Sequence, residues 1–456
     1  MTKSNCKYNS EIFREYDIRG KYQTDFDESF AYALGKGFVQ FCKDQTKTSD
    51  IKLALGRDAR HSSLPLLNAM AKGMSDAGAD VLDLGLITSP VCYFSCYQVD
   101  GLTGSIMITG SHNPPEYNGF KISLREGTLT SDKIKSLEKY VLGIDESALG
   151  GSIQTYDIIT PYIARISEEF NLKDIPFVVD CGNGAAGSVA RKVYEAAGLS
   201  PEILFEKPDG DFPNHHPDPT LEENLVDLKK AVLESKSAFG VGYDGDADRI
   251  VIVTETGKTV YADELMSIYA KSVLADHPGA EIVADVKCSQ EYFKLLEKWG
   301  AKPIMWMTGH SLIKQKVKEL KSPFGGEFSG HIFFADRFYG FDDALYCSLR
   351  LVEILEKSGA TVSDLLSEFP TTFSTAELRI EVGEKEKYEL VEKYRNAIKD
   401  KCVSLNEIDG VRAHFEDGWA LVRVSNTQPS VTLRFEAQSE QNLNEIKNQA
   451  FSILGL

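Results

Sequence analysis

Three stretches of the chain share one pattern of apolar and polar positions: a short apolar run, a small or charged loop, then a helix-like segment. They are LALGRDARHSS (Leu53–Ser63), FVVDCGNGAAG (Phe177–Gly187) and EIVADVKCSQE (Glu281–Glu291). Each is followed by a second apolar run ending in a conspicuous loop: IMITGSHNP, FGVGYDGDADR and PFGGEFSGH. Strand, crossover and strand at domain-scale spacing predict three βαβ-type domains of related design. The period is too long for a solenoid. After Pro370-Thr371-Thr372 the pattern becomes strand (TAELRIEV), helix (KEKYELVEKYRNAIKD), strand (WALVRVS), strand (SVTLRFEA) and helix (QNLNEIKNQAFSIL). Consecutive strands without a crossover predict a small antiparallel α+β unit. Breaks at Gly150-Gly151, at TETGK (Thr254–Lys258) and at Pro370 set the expected domains at 1–150, 151–254, 255–369 and 370–456.

Composition narrows the class. The chain has 456 residues, 42% hydrophobic and 26% charged, as expected of a multi-domain globular protein. No apolar run is long enough to span a bilayer and the N-terminus has no signal-peptide h-region, so no membrane association is expected. Eight scattered cysteines fit reduced thiols in a cytoplasm. Fifty Lys+Arg against 68 Asp+Glu give a net charge of −18, which argues against a nucleic-acid partner. A small anionic ligand stays open, because distant charges are screened, but it requires a local pocket of cationic and N–H donors.

Four loops carry candidate chemistry. In the first, Ser111 follows an apolar strand (Ser105–Thr109) that stops at Gly110. Pro114 and Pro115 remove backbone donors and stiffen the loop, and Asn118-Gly119 predicts a turn. A serine just past a strand end is where α/β proteins place chemistry, although a lone serine on a loop is usually only a solvated turn residue. It needs something to take its proton; His112 and Lys121 are near in sequence. In the second loop, Asp244, Asp246 and Asp248 alternate with small residues between apolar runs. Three such carboxylates repel unless a cation neutralises them, and all-oxygen ligation suits Mg²⁺ before Ca²⁺. An EF-hand is rejected, because Arg249 stands where that loop needs glycine and strands flank it.

The third loop, FGGEFSGH, offers Glu327 and Ser329, which an extended segment would point to one side, where they suit vicinal sugar hydroxyls. The fourth, RVSNTQPS, gathers Arg423, Ser425, Asn426 and Thr427, donors of the kind phosphate oxygens accept. It answers the demand for a local anion pocket. Two smaller features are Arg19 in EYDIRG, otherwise a surface ion pair, and His310 in TGHSLIK at an expected helix start.

Taken together and in this order, these loops resemble those of the α-D-phosphohexomutase superfamily, over nearly the whole chain from EYDIRG to RFEA. TGSHNPPEYNGFK is similar to its phosphoserine loop, DGDADR to its metal loop, GEFSGH to its sugar loop and RVSNTQP to its phosphate loop. The resemblance implies an α/β fold of four domains around a central active-site cleft: three of related mixed-sheet topology and a C-terminal α+β domain. GEFSGH with SNT looks like the phosphomannomutase/phosphoglucomutase branch. Phosphoglucosamine mutases, the alternative, usually carry glutamine before that serine and DGDGDR in the metal loop, where this chain has Phe328 and Ala247.

The implied activity is reversible transfer between hexose 6- and 1-phosphates, through phosphorylated Ser111 and a hexose 1,6-bisphosphate that also serves as activator. Mg²⁺ would sit on Asp244, Asp246, Asp248 and a phosphoserine oxygen, with Arg249 and Arg19 adding positive charge. His112 or Lys121 would move the hydroxyl proton. Arg423, Ser425, Asn426 and Thr427 would grip the non-reacting phosphate. Glu327 and Ser329 would hold sugar hydroxyls, with Tyr16, Lys287, His310 and His331 as further contacts. The expected partners are hexose phosphates alone, with a monomer or small homo-oligomer. A non-catalytic sugar-phosphate-binding member of the fold would be signalled by loss of the serine or an aspartate, and neither is lost. A phosphatase built on DGDADR alone leaves Ser111 unexplained.

Overall fold

The computed structural model describes residues 6–143, 150–425 and 430–456. The chain divides into two compact units, Met1–Ala262 with Ser329–Leu365, and Asp263–Phe328 with Leu366–Leu456.

The first unit holds two sheets. One is built from β1 (Ile18–Lys21), β2 (Lys52–Arg57), β3 (Asp80–Leu86), β4 (Gly104–Ile108), β5 (Tyr117–Leu124), β6 (Gly127–Thr128) and β7 (Ile153–Thr155). Its order is β1-β5-β4-β2-β3-β7, with β6 on β5. Strands β4, β2, β3 and β7 run parallel, whereas β5 is antiparallel to both β4 and β1. The strands' inner residues, Leu53, Leu55, Val81, Ile106 and Ile108, pack in one core with Phe30, Leu34 and Phe38 of the helix Glu28–Thr46. That helix starts where Asp27 accepts from the N–H groups of Ser29 and Phe30.

The second sheet comprises β8 (Val178–Asp180), β9 (Glu202–Leu204), β10 (Phe239–Tyr243), β11 (Ile250–Thr254) and β12 (Thr259–Val260), in the order β12-β11-β10-β8-β9. Its design repeats the first. β10 is parallel to β8 and antiparallel to β11, as β4 is parallel to β2 and antiparallel to β5. The Ser111 loop and the three-aspartate loop therefore leave equivalent strands at equivalent points. The strands flanking the aspartates bear out the rejection of an EF-hand.

In the second unit, β13 (Glu281–Asp285), β14 (Lys302–Trp306) and β15 (Phe324–Gly326) pair in parallel, and β15 leads into the loop that holds Glu327. Strand β16 (Ile332–Phe334) belongs to the first unit. The C-terminal sheet comprises β17 (Phe373–Ser374), β18 (Leu378–Glu381), β19 (Ser404–Asn406), β20 (Val411–Phe415), β21 (Gly418–Val424) and β22 (Ser430–Ala437). It is antiparallel throughout, as the consecutive strands predict. Its helices Glu386–Ile398 and Glu440–Leu454 bury Tyr394, Ile398, Ala450 and Leu454 against Val411, Val422 and Phe435.

Two local expectations need correction. Asn118-Gly119 is no turn: both lie in β5, opposite Gly20 and Arg19 of β1. The glycine serves close approach, since a Cβ there would come within 2.4 Å of the Ile18 carbonyl oxygen. Phe328 and Ser329 form a turn, so the alternation argument for Glu327 and Ser329 does not apply.

Candidate active site

The Ser111 loop and the aspartate loop meet within the first unit. Ser111 is buried and donates its hydroxyl proton to Asp244 Oδ2 at 2.7 Å; its Oγ also lies 3.2 Å from His112 Nδ1. Asp244 Oδ1 in turn accepts from the N–H groups of Asp248 and Arg249, both at 3.1 Å. The loop closes tightly because Ala247 adopts a left-handed φ of 60°, and because Gly245 has no side chain; a Cβ there would reach within 2.4 Å of the Ser111 carbonyl oxygen.

Asp246 sits at the start of the helix Ser89–Gln98. It accepts from the Ser89 hydroxyl, and its carbonyl accepts from the Ser89 N–H at 3.0 Å. A carboxylate at a helix N-terminus gains from the unpaired N–H groups there. Lys121, on β5, extends to the same cluster and pairs with Asp246 at 2.6 Å and with Asp248. His331 Nε2 lies 3.3 Å from Asp248 Oδ1 and 3.4 Å from Arg249 Nε, and its Nδ1 meets Ser329 Oγ at 2.9 Å. Arg19 pairs with Asp17 at 2.6 Å and also donates to the Gly110 carbonyl at 2.9 Å; both partners are buried, so this is not the surface ion pair of the alternative reading. Tyr16 is half-buried in the bend before β1.

The three aspartates are all fully buried, and one oxygen from each lies within 4.8 Å of the others. Burial, with the charges of Asp246 and Asp248, pushes the Asp244 carboxyl well above its usual range. Burial, with Arg249, Arg19 and Lys121, pushes His112 well below the usual imidazole range. Burial also opposes the charged form of Lys121, but Asp246 and Asp248 outweigh it and hold its pKa above the ordinary value. Asp246 Oδ1 is buried and accepts no hydrogen bond among the described residues. A compact all-oxygen donor set with an unsatisfied buried carboxylate oxygen fits a hard dication.

The second unit carries its own group of candidates. Asp285, at the end of β13, is its hub. Its Oδ1 accepts from the Phe328 N–H at 3.0 Å and its Oδ2 from the Thr308 hydroxyl at 3.1 Å, while Lys287 Nζ lies 3.9 Å from Oδ2. Lys287 also pairs with Glu377 at 3.1 Å. Burial works against its charge, but Glu377, Asp285 and Glu327 hold its pKa above the ordinary value. Glu327 accepts from the Gly309 N–H, just before the helix His310–Leu320, so His310 does open a helix as expected. Arg423, on β21, directs Nε and Nη2 at Asp409 Oδ2, each at 3.0 Å; the Thr308 N–H reaches the same oxygen at 3.0 Å. The Ser425 N–H donates to the Ser430 carbonyl at 2.9 Å. Asn426 and Thr427 lie outside the described residues.

Sequence reading missed Asp58, Arg60, Ser89, Asp285 and Asp409. The first two stand in GRDARHSS, where an Asp and an Arg directly after an apolar strand were an available signal. The others are single polar residues whose importance comes from distant partners.

Four family profiles cover the chain: phosphoglucomutase/phosphomannomutase alpha/beta/alpha domain I over residues 10–148, domain II over 160–257, domain III over 261–373, and the C-terminal domain over 377–453. A phosphomannomutase/phosphoglucomutase of Pseudomonas aeruginosa is 40% identical over 439 residues, 96% of this chain and 94% of its own length. A phosphoglucomutase of Neisseria gonorrhoeae is 38% identical over 449 residues, 97% of this chain and 96% of its own. Among solved structures, a phosphoglucomutase/phosphomannomutase family protein from Burkholderia thailandensis superposes with a TM-score of 0.91 at 38% identity, covering 98% of both chains.

Proposed function

Because the chain belongs to the phosphoglucomutase/phosphomannomutase family, with all four of its domains, we propose that it is a phosphomannomutase that also acts on glucose phosphates. It interconverts the 6- and 1-phosphates of mannose and glucose through a phosphoserine enzyme and a hexose 1,6-bisphosphate. The observation that carries this reading is the buried Ser111 hydroxyl 2.7 Å from the first of three clustered aspartates.

Phosphorylated Ser111 gives its phosphoryl group to the free hydroxyl of a bound hexose monophosphate. The P–Oγ bond breaks as the bond from phosphorus to the sugar oxygen forms, and the hydroxyl proton passes to His112; Lys121, whose ammonium is paired with Asp246 and Asp248, has no lone pair to take it. The bisphosphate reorients and returns its other phosphoryl group to Ser111: the bond from that phosphorus to its sugar oxygen breaks as the P–Oγ bond forms again, and the released oxygen takes the proton back. Such transfer depends on in-line positioning and charge neutralisation. When bound by Asp244, Asp246, Asp248 and an oxygen on Ser111, Mg²⁺ supplies positive charge beside the transferring group. Arg249 and Arg19 add to it. Arg423 and Ser425, with Asn426 and Thr427, grip the other phosphate. Glu327, Ser329, Tyr16, Lys287, His310 and His331 contact the sugar.

A coupled mutase assay with mannose, glucose and glucosamine 1-phosphates, in Mg²⁺ with trace hexose 1,6-bisphosphate, tests the proposal. Turnover of the first two is expected. Turnover of glucosamine 1-phosphate alone would reassign the substrate, and turnover of none would overturn the reading.

A further inference from the structure

Arg60 lies just past β2, 51 residues before Ser111, and is almost completely buried, as is its neighbour Asp58. A guanidinium has five N–H donors, and here every one is used. Nη1 donates to the carbonyl oxygens of Pro114 at 2.5 Å and Tyr117 at 3.0 Å. Nη2 donates to those of Ser111 at 2.8 Å and Asn113 at 2.5 Å. Nε donates to Asp58 Oδ2 at 3.1 Å. Four carbonyls between Ser111 and the first residue of β5 thus converge on one side chain.

Asp58 completes the arrangement. Its Oδ2 also accepts from the Thr109 hydroxyl at 2.8 Å and the Gly110 N–H at 3.2 Å, and its Oδ1 from the Arg60 N–H at 3.0 Å and the Ser63 hydroxyl. Thr109 Oγ1 then accepts from the Ser111 N–H at 2.8 Å. Both peptide groups of Ser111 are therefore anchored to this pair, one directly and one through Thr109. Ser111 needs anchoring, because its φ of 49° is left-handed, a conformation that Cβ disfavours. Gly110 is fitted to the same purpose: a Cβ there would lie 2.5 Å from Cζ and Nε of Arg60.

We propose that Arg60, oriented by Asp58, is a positioning residue for phosphoryl transfer: it holds the Ser111 backbone so that Oγ faces Asp244. The inference rests on Ser111 being the phosphoryl carrier. A buried charge costs desolvation that an apolar filler would avoid; what the charge gives in return is the fixed direction of one loop.

The test compares wild type, Arg60→Lys and Asp58→Asn as full chains with Mg²⁺. Lysine keeps the charge but cannot reach four carbonyls with a planar fork. Single-turnover labelling of Ser111 by glucose 1,6-bisphosphate is followed by intact mass, beside kcat, KM and melting temperature. In the variants the labelling rate and kcat are expected to fall together, on the order of 100-fold, as for a misplaced reacting group. KM should stay within about threefold, because the phosphate grip lies elsewhere. Wild-type labelling rates in both folded variants would overturn the positioning role. So would failure of both to fold, which would make the pair purely structural. If one variant fails to fold, the other decides. Absence of label on wild-type Ser111 would instead overturn the phosphoserine reading beneath it.

Discussion

Ser111 and Asp244 share a 2.7 Å hydrogen bond across 133 residues of chain. The bond joins two loops that leave equivalent strands of two similar sheets, and it places a hydroxyl against buried carboxylates.

Ser111→Ala removes the nucleophile and leaves the loop's backbone bonds in place. Mutase activity is expected to be lost, and the peptide containing Ser111 to lack the mass gain of about 80 Da that a phosphoryl group brings. Normal turnover by this variant would remove the phosphoserine from the mechanism.

Asp246→Asn takes one carboxylate from the cluster and weakens the pairing to Lys121. Half-maximal activation is expected to need at least tenfold more Mg²⁺, and the Mg²⁺-induced rise in melting temperature to shrink. A bound ion at 100 times its dissociation constant stabilises by about 2.7 kcal/mol, so the wild-type shift is measurable. Equal Mg²⁺ titrations by calorimetry in the two proteins would count against a metal at the aspartates.

Arg423→Ala deletes a guanidinium now held by Asp409. Losing a charged hydrogen bond to phosphate costs about 1.5–3 kcal/mol, so KM should rise roughly 10- to 150-fold, with a smaller effect on kcat. Arg423→Lys should fall between, because a point charge replaces a fork. Steady-state kinetics with mannose 1-phosphate decide it, and an unchanged KM would free the fourth loop of this role.

Asp343 predicts a pH dependence of stability. Its carboxylate caps the helix Ala344–Ser358 through the Tyr346 N–H and accepts from the Tyr162 hydroxyl at 2.7 Å. Burial, with a smaller push from Asp342, raises it to about 7. Unfolded, it would titrate near about 3.9. Between those values the folded chain holds a proton that the unfolded chain has lost, so this group lowers stability as pH rises through the window and adds no slope above it. In Asp343→Asn the cap acceptor remains. The fall in denaturation midpoint from pH 5 to pH 8 should be smaller than in wild type, and identical slopes would show that the carboxyl is not the source.

The chain's own pattern determined what is local. Apolar runs beside DGDADR demanded strands on both flanks, and β10 and β11 are there. The apolar run in WALVRVS and the alternation in SVTLRFEA predict consecutive strands, and β21 and β22 pair residue by residue. Residue types in the loops announced acid, hydroxyl and guanidinium chemistry before any partner was known. Strand β20 alternates apolar Val411, Ala413 and Phe415 with Arg412 and His414, a pattern that predicts a polar outer face. Arg412 is nevertheless buried, donating to the carbonyls of Val286 at 2.6 Å and Cys288 at 2.8 Å and lying 3.8 Å from the Trp419 ring.

Tertiary structure alone decided which groups face each other. Lys121 meets Asp246 across 125 residues, Arg60 meets the Ser111 carbonyl across 51, and Asn118-Gly119 pairs with β1 where its local preference is to turn. Periodicity reports which face of an element is buried. It carries no information on partners that meet only after the chain has closed long loops, and buried hydrogen bonds and ion pairs are satisfied by those partners.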